Sequence, residues 1–340
     1  MGIEDLKERL STPVSAFPLA VFRIVFGIVL CFSQVRFLAK GWVEALFLVP
    51  TYHFTYPGFD WVQVLPAPWM YALLACSIIG ALGIALGFFY RWSTLLFFLT
   101  FTYLELIDKA WYLNHYYFVS LMAFLLLWVP ANQVVSLDVY FKRTQHPESK
   151  SIPRWALLLI QFQIFVVYFF AGIAKLKYDW LVRAEPMKTW LAARTDFPLL
   201  GSWFDQDWVA YAFSWGGTLY DLLIPFFLLI PQTRPVAFLA VILFHGMTGL
   251  LFPIGMFPWI MIGAALIFFT EEDWKNLLGE KSFLQTNVQA SYTIPTGWVV
   301  LLGLYMGLQI FLPLRHYSYP GNVLWNEKGL RFAWHVMVME

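Results

Sequence analysis

Residues 154–176 read RWALLLIQFQIFVVYFFAGIAKL, a run whose only charges, Arg154 and Lys175, lie near its two ends. About 20 apolar residues carry a helix across the hydrocarbon core of a bilayer. In that core a helix satisfies its own backbone hydrogen bonds, so this run predicts a transmembrane helix. Working outward, eight further runs read the same way, at roughly 14–37, 67–90, 92–107, 115–132, 208–231, 235–251, 256–270 and 295–313. The expected fold class is all-α, a polytopic integral membrane bundle of about nine spans. The third, seventh and eighth runs are short, which fits tilting, re-entry or cover by neighbouring helices.

Composition agrees. The chain is 60% hydrophobic and 13% charged, against about 25% charged in soluble domains, and its mean hydropathy is +0.65. Its 17 Trp and 17 Tyr suit the headgroup level, where amphipathic rings settle. The expected surroundings are therefore membrane lipid. A net charge of +1 removes the electrostatic case for nucleic acid. Cys31 and Cys76 lie in apolar runs without metal or redox spacing. The six histidines lack close ligand spacing, so no metal is expected. No phosphate loop, dinucleotide fingerprint or serine elbow occurs. The polar start MGIEDLKERLST precedes a run too long for a signal h-region, so the first span reads as a signal anchor.

Polar stretches separate the runs. Residues 177–207 mix Trp with charges and read as an interfacial helix and loop. The loop 39–66 carries Tyr52, His53, Phe54, Tyr56, Phe59 and Trp61 and is expected to pack over the same surface. Lys and Arg divide almost evenly between the two sides. Only the loop 133–153 with Lys142, Arg143 and Lys150 favours a cytoplasmic N-terminus. With nine crossings, Asp108, Asn114, His115, Lys175 and His245 all fall at the face opposite the N-terminus.

Several polar residues at membrane depth are candidates for chemistry. Lys175 closes AGIAK and has two readings. It snorkels its amine to the headgroups, or it is desolvated, which disfavours the ammonium form and leaves an amine able to accept a proton. Lys177, nearer the interface, is the better snorkeller. His115 follows Asn114 in DKAWYLNHYY and is either structural or a proton relay. Asp108 and Lys109 read equally as a local ion pair. His245, in HGMTG, either packs or lines a cavity left by the glycines. Gln163 and Tyr168 share the helix of Lys175, Tyr168 two turns away on the same face. Arg23 and Asp221 lie inside spans, where an unpaired charge is costly. They read as structural, paired with each other or with backbone groups.

The runs LAVFRIVFG, IIGALGIALGFFYRWS, LIDKAWYLNHYYF, QIFVVYFFAGIAKLKYDW and FHGMTGLLFPIGMF resemble, in order, the membrane region of vitamin K-dependent gamma-glutamyl carboxylase and its bacterial relatives. The resemblance covers residues from about 12 to 313. It implies oxygenation of vitamin K hydroquinone, or menaquinol, to the epoxide with O2. The strong base so formed removes the γ-proton of a peptide glutamate, and CO2 adds to the carbanion. Carried over, Lys175 matches the proposed base that deprotonates the hydroquinone. Asn114 and His115 match an Asn-His pair assigned to carboxylation. His245 matches a histidine of the same region and, with Tyr168, Gln163 and Met256, is taken as cofactor-binding.

The segment GNVLWNEKGLRFAWHVMVME resembles the glutamate-contacting segment through Trp325 and Trp334, which makes a Glu-containing protein or peptide the expected partner. Leu330, Ala333 and Ala174 stand where the animal enzyme has Tyr, Ser and a second Lys. Residues 1–313 are thus expected to form a carboxylase-like transmembrane domain. Residues 314–340 are expected to begin an extramembrane segment, truncated or minimal because the sequence stops inside VMVME. The expected location is a bacterial inner membrane or the endoplasmic reticulum membrane, multi-pass. A quinol oxygenase that carboxylates no peptide, and a transporter or lipid-handling scaffold, are the alternatives.

Overall fold

The computed structural model describes residues 2–144, 149–279 and 291–336. His146 and residues 337–340, on which the reading of a truncated end rests, lie outside the described residues. In chain order the elements are α1 (Ile3–Ser11), β1 (Pro13–Ser15), α2 (Phe17–Ala39), α3 (Ala67–Leu86), α4 (Tyr90–Ile107), α5 (Asn114–Leu126), α6 (Leu137–Tyr140) and β2 (Ser151–Pro153). They continue with α7 (Arg154–Ala174), α8 (Tyr178–Leu181), α9 (Met187–Ala192), α10 (Asp207–Leu229), α11 (Arg234–Leu251), α12 (Phe257–Ala265), α13 (Glu271–Leu278), α14 (Thr296–Leu314) and α15 (Val323–Asn326). The fold is all-α apart from β1 and β2, which pair antiparallel with Val14 opposite Ile152.

Among the described residues, six helices are long and apolar enough to cross a membrane: Phe17–Ala39, Ala67–Leu86, Arg154–Ala174, Asp207–Leu229, Arg234–Leu251 and Thr296–Ser318. The chain is a multi-pass membrane protein. The expected third, fourth and eighth spans are helical but do not meet that standard. Arg91 and Glu105 sit inside α4. At 1.5 Å per residue, the 13 residues of α5 reach only about 20 Å. The eighth divides into α12 and a 3₁₀ turn at Leu266–Phe268.

The chain divides into two compact units: residues 1–161 with 263–302, and residues 162–262 with 303–340. In the first unit α2, α3 and α4 pack together. A Cβ on Gly27 of α2 would lie 2.4 Å from the Ala85 backbone nitrogen of α3, so only glycine permits this approach.

The turn between α3 and α4 is sealed from both sides. Gly87 ends α3 in the left-handed conformation (φ 61°) that glycine adopts without strain. At this helix end the carbonyl of Ile84, which also accepts from the Gly87 amide at 3.1 Å, and that of Ala85 accept from Arg23 Nη1 at 2.6 and 2.7 Å. Arg23 Nε and Nη2 reach the carbonyls of Ala131 and Val135 at 2.9 and 2.5 Å. On the other side, Asp138 accepts from the amides of Phe89 and Tyr90, both at 2.9 Å, at the start of α4. Arg23 is thus satisfied by backbone, one of its two expected arrangements; it does not pair with Asp221.

In the second unit the stretch 177–207 forms α8, α9 and a 3₁₀ turn packed on α10. The indole of Trp180 donates to the Ser214 carbonyl at 3.1 Å, and that of Trp215 to the Leu181 carbonyl at 3.0 Å. Trp180, Met187, Leu191, Phe204, Val209 and Leu251 form its core.

Candidate active site

In the second unit, α7 carries Gln163, Tyr168 and Lys175 on its way to its C-terminal end. Gly172, one turn before Lys175, lets α10 come close: a Cβ there would lie 2.7 Å from Leu222 Cγ. That approach brings Lys175 against Asp221, the neighbour of Leu222. The amine donates to Asp221 Oδ2, and both side chains are buried, at 7% and 5% exposure. Among the described residues nothing donates to Asp221 Oδ1. Lys175 also lies at the C-terminal end of α7, where a cation suits the helix dipole, with its Nζ 5.6 Å from the centre of the Trp180 ring. The snorkelling reading of Lys175 is therefore set aside. Lys177 keeps the more open position, half-buried with its amine 3.4 Å from His335 Nδ1. Burial pushes the Lys177 ammonium down from its ordinary range.

Two further polar contacts join helices of this unit. Tyr168 Oη and His245 Nε2 lie 3.0 Å apart, both groups buried. Tyr305 of α14 donates to Gln163 Oε1 at 2.6 Å. Rings border His245 on several sides, with centroids of Phe244, Phe257, Tyr168 and Tyr220 at 5.3, 5.5, 5.8 and 6.1 Å. Two buried polar atoms of these contacts have no hydrogen-bond partner, Gln163 Nε2 and His245 Nδ1. Each such atom costs about 1–3 kcal/mol when nothing answers it. Met256 is buried in the same unit.

The remaining expected peptide contacts are split. Trp325 on α15 is 85% exposed, whereas Trp334 is buried at 4%. His335, next to Trp334, is buried against His316 with ring centroids 4.7 Å apart. Burial, and then the nearby charges of Lys177 and His316, push His335 down to about 3.

In the first unit, Asn114 and His115 open α5. Asn114 Oδ1 accepts from Tyr112 Oη at 2.9 Å. His115 is 9% exposed, its ring 4.5 Å from that of Tyr116. Asp108 does not make the local ion pair with Lys109 that was one of its two readings. It accepts instead from the amides of Ala110 and Phe54, at 2.8 and 3.2 Å, and faces His53 Nδ1 at 3.2 Å. The aromatic loop 39–66 is thereby pinned to the end of α4. Asn114 and His115 thus belong to one unit, and Lys175, Tyr168, Gln163, His245, Met256, Trp325 and Trp334 to the other.

Residues 11–274 match the HTTM domain. The chain belongs to the HTTM family. Residues 295–340 match a second description, the vitamin K-dependent gamma-carboxylase lumenal domain. The two in succession mark the membrane domain of the vitamin K-dependent gamma-carboxylase family. No solved structure gives a significant match. Membership carries vitamin K-related, carboxylase-like chemistry as the family setting in which this HTTM protein is read.

Two residues of this HTTM protein were not singled out for such chemistry by sequence. Asp221 was read as structural, although a buried Asp in one span and a buried Lys ending another are complementary charges that call for each other. Glu105 lines a cavity of about 20 Å³ with Ser33, Gln34 and Tyr116, about the room one water needs.

Proposed function

We propose that this HTTM protein oxygenates a membrane hydroquinone, reduced vitamin K or menaquinol, to its epoxide and couples that oxidation to carboxylation of glutamate in a protein or peptide. The observation that carries the reading is Lys175, buried between membrane helices and bonded to Asp221. A lysine that only anchored a helix end would keep its amine in the headgroups. In this reading Tyr168, His245, Gln163 and Met256 hold the ring, and the proton of one ring hydroxyl passes to the basic group at Lys175. When bound, the hydroquinone supplies the reducing electrons and O2 accepts them. Asn114 and His115 serve the carboxylation half, in which CO2 adds to the glutamate γ-carbon. The walls of buried aromatic side chains exclude water, which would otherwise reprotonate a carbanion.

The same reading gives the chain nine crossings, α4, α5 and α12 included, and sets these groups at the face opposite the N-terminus. The chain is an integral protein of a bacterial inner membrane or the endoplasmic reticulum membrane.

A second reading, quinol oxygenation without peptide carboxylation, is favoured by the segment after α14. There Trp325 is exposed while Trp334 is buried, so the two expected glutamate contacts do not share one surface. Incubation with reduced vitamin K or menaquinol and O2 tests both: epoxide is expected from the wild type and not from Lys175→Ala. Epoxide formation undiminished in that variant removes both readings and leaves a scaffold or transporter. Incorporation of labelled CO2 into a Glu peptide then separates the coupled enzyme from the oxygenase.

A further inference from the structure

We propose that the turn joining α3 to α4 is a lipid headgroup site, in which Arg143, lodged among Phe88, Phe89 and Phe141, takes the phosphate of an anionic phospholipid. The inference does not rest on the chemistry proposed above.

Arg143 follows α6, and its guanidinium carbon lies 4.2 Å from the centre of the Phe89 ring, 4.9 Å from that of Phe141 and 5.2 Å from that of Phe88. Ring faces attract a cation and fix its position. They leave its rigid fork of N–H donors for an acceptor elsewhere, and among the described residues no oxygen accepts from that fork. Asp138, close by in sequence, is turned away from it. That carboxylate is 4% exposed, and it accepts from the amides of Phe89 and Tyr90 and from Asn132 Nδ2, each at 2.9 Å. Within residues 86–92 and 131–144 Asp138 is the only acid, against Arg91, Lys142 and Arg143. All three cations are exposed, and none forms an ion pair with a described residue. The turn therefore presents uncompensated positive charge.

The backbone is bent to make this seat. Phe89 (φ 41°, ψ 47°) and Lys142 (φ 54°) are left-handed, a conformation that costs free energy in any residue but glycine. Asp138 secures both ends of the seat. Its side chain accepts from the Phe89 amide, and its carbonyl accepts from the Arg143 amide at 2.7 Å. Glycine would relieve either position, yet a ring and a cation stand there. Strain kept at such positions points to a working surface.

The level of the turn selects a lipid over a soluble anion. α3 is long and apolar enough to cross a membrane, and the seat begins directly after its last turn, where hydrocarbon gives way to headgroups. Phe89 and Phe141 are half exposed, and Trp92 and Tyr140 are 72% and 77% exposed. Amphipathic and apolar rings of this kind settle at the interface. An arginine fork matches two phosphate oxygens at once, and basic groups at this depth attract anionic headgroups. A zwitterionic headgroup carries its own cation beside the phosphate, which Arg91 and Lys142 repel.

The test uses the full chain in detergent, with native mass spectrometry following bound lipid as phosphatidylglycerol or phosphatidylcholine is added. The wild type is expected to hold phosphatidylglycerol more tightly, with a preference that shrinks as salt screens the charges. One basic side chain near an anionic surface is worth about five-fold in affinity. Arg143→Gln should therefore weaken phosphatidylglycerol by at least about that factor. Phe141→Ala keeps every charge and removes part of the seat, so it should weaken the same lipid by about 2–5-fold. Phosphatidylcholine binding should not change in either variant.

Equal retention of the two lipids by the wild type overturns the proposal, as does phosphatidylglycerol binding undiminished in either variant. Loss in Arg143→Gln alone would reduce the seat to general surface charge. Displacement of the lipid by inorganic phosphate, but not by chloride at equal ionic strength, would make the occupant a soluble anion and also overturns it. So does a lipid-independent dimer that Arg143→Gln dissolves, which would give the patch to a second copy of the chain. Should Arg143→Gln not accumulate in membranes, Phe141→Ala decides alone.

Discussion

Two buried cations of this HTTM protein, Arg23 in the first compact unit and Lys175 in the second, are handled in opposite ways. Arg23 distributes four hydrogen bonds over the carbonyls of Ile84, Ala85, Ala131 and Val135. A guanidinium is planar, rigid and always charged, which suits a permanent clamp on helix-end carbonyls. Lys175 is bonded to one carboxylate. An ammonium on a flexible stem can give up or exchange its proton. The first arrangement is closed, and no substrate atom is needed to complete it. The second rests on a single side-chain partner, Asp221.

The comparison breaks first at Arg23. Replacing it with Met orphans the carbonyls of Ala85, Ala131 and Val135 at about 1–3 kcal/mol each, so stability in detergent should fall by at least about 3 kcal/mol. Loss of less than about 1 kcal/mol in a denaturant titration would mean that the clamp is not structural. Next comes the approach of α7 to α10. Gly172→Val forces a Cβ onto Leu222 and moves Lys175 away from Asp221. A displacement of about 1 Å can cost 10²-fold in rate, so epoxide formation should drop by about that factor while the protein still inserts. A variant as fast as the wild type would disconnect the helix contact from the chemistry.

A smaller effect concerns the segment after α14, where His335 packs against His316. His335 is held near 3 when folded, against an ordinary 6.5, so the opened segment binds a proton at a pH where the folded one does not. Its stability is therefore undiminished above about 6.5 and declines as pH falls from there toward 3. Hydrogen exchange over residues 315–336 should quicken with acidification through that window and lose most of its pH dependence in His335→Gln. Exchange that does not respond to pH would contradict this role for His335. Smallest of all, Trp325→Ala should leave stability within about 0.5 kcal/mol, since the ring is 85% exposed. In the coupled reading it raises KM for a Glu peptide; an unchanged KM favours the oxygenase.

Most of the helical framework was legible because apolar length is a one-dimensional property. The expected runs at 67–90, 154–176, 208–231 and 295–313 reappear as α3, α7, α10 and α14, within a few residues at each end. What α4, α5 and α12 lack is length or apolarity, and the reading by runs counted them anyway. Candidates for chemistry could be named where a polar residue stands alone in an apolar run, as Lys175 and His245 do. The partner of Lys175 could not, because Asp221 lies 46 positions away. Pairing across that distance depends on helix rotation, which Gly172 and Leu222 set through packing. A local pair with Lys109 was one of two equal readings of Asp108 for the same reason: adjacency in sequence was visible, and the loop that folds back His53 was not.

The measurement that bears most directly on the distinction between the two cations is the double variant Lys175→Met/Asp221→Leu, assayed together for thermal stability and for epoxide formation from reduced vitamin K or menaquinol. Apolar replacement of a buried ion pair is commonly neutral or stabilising, so the midpoint should hold or rise while epoxide disappears. A variant that still makes epoxide, or one that unfolds as badly as Arg23→Met, contradicts the account.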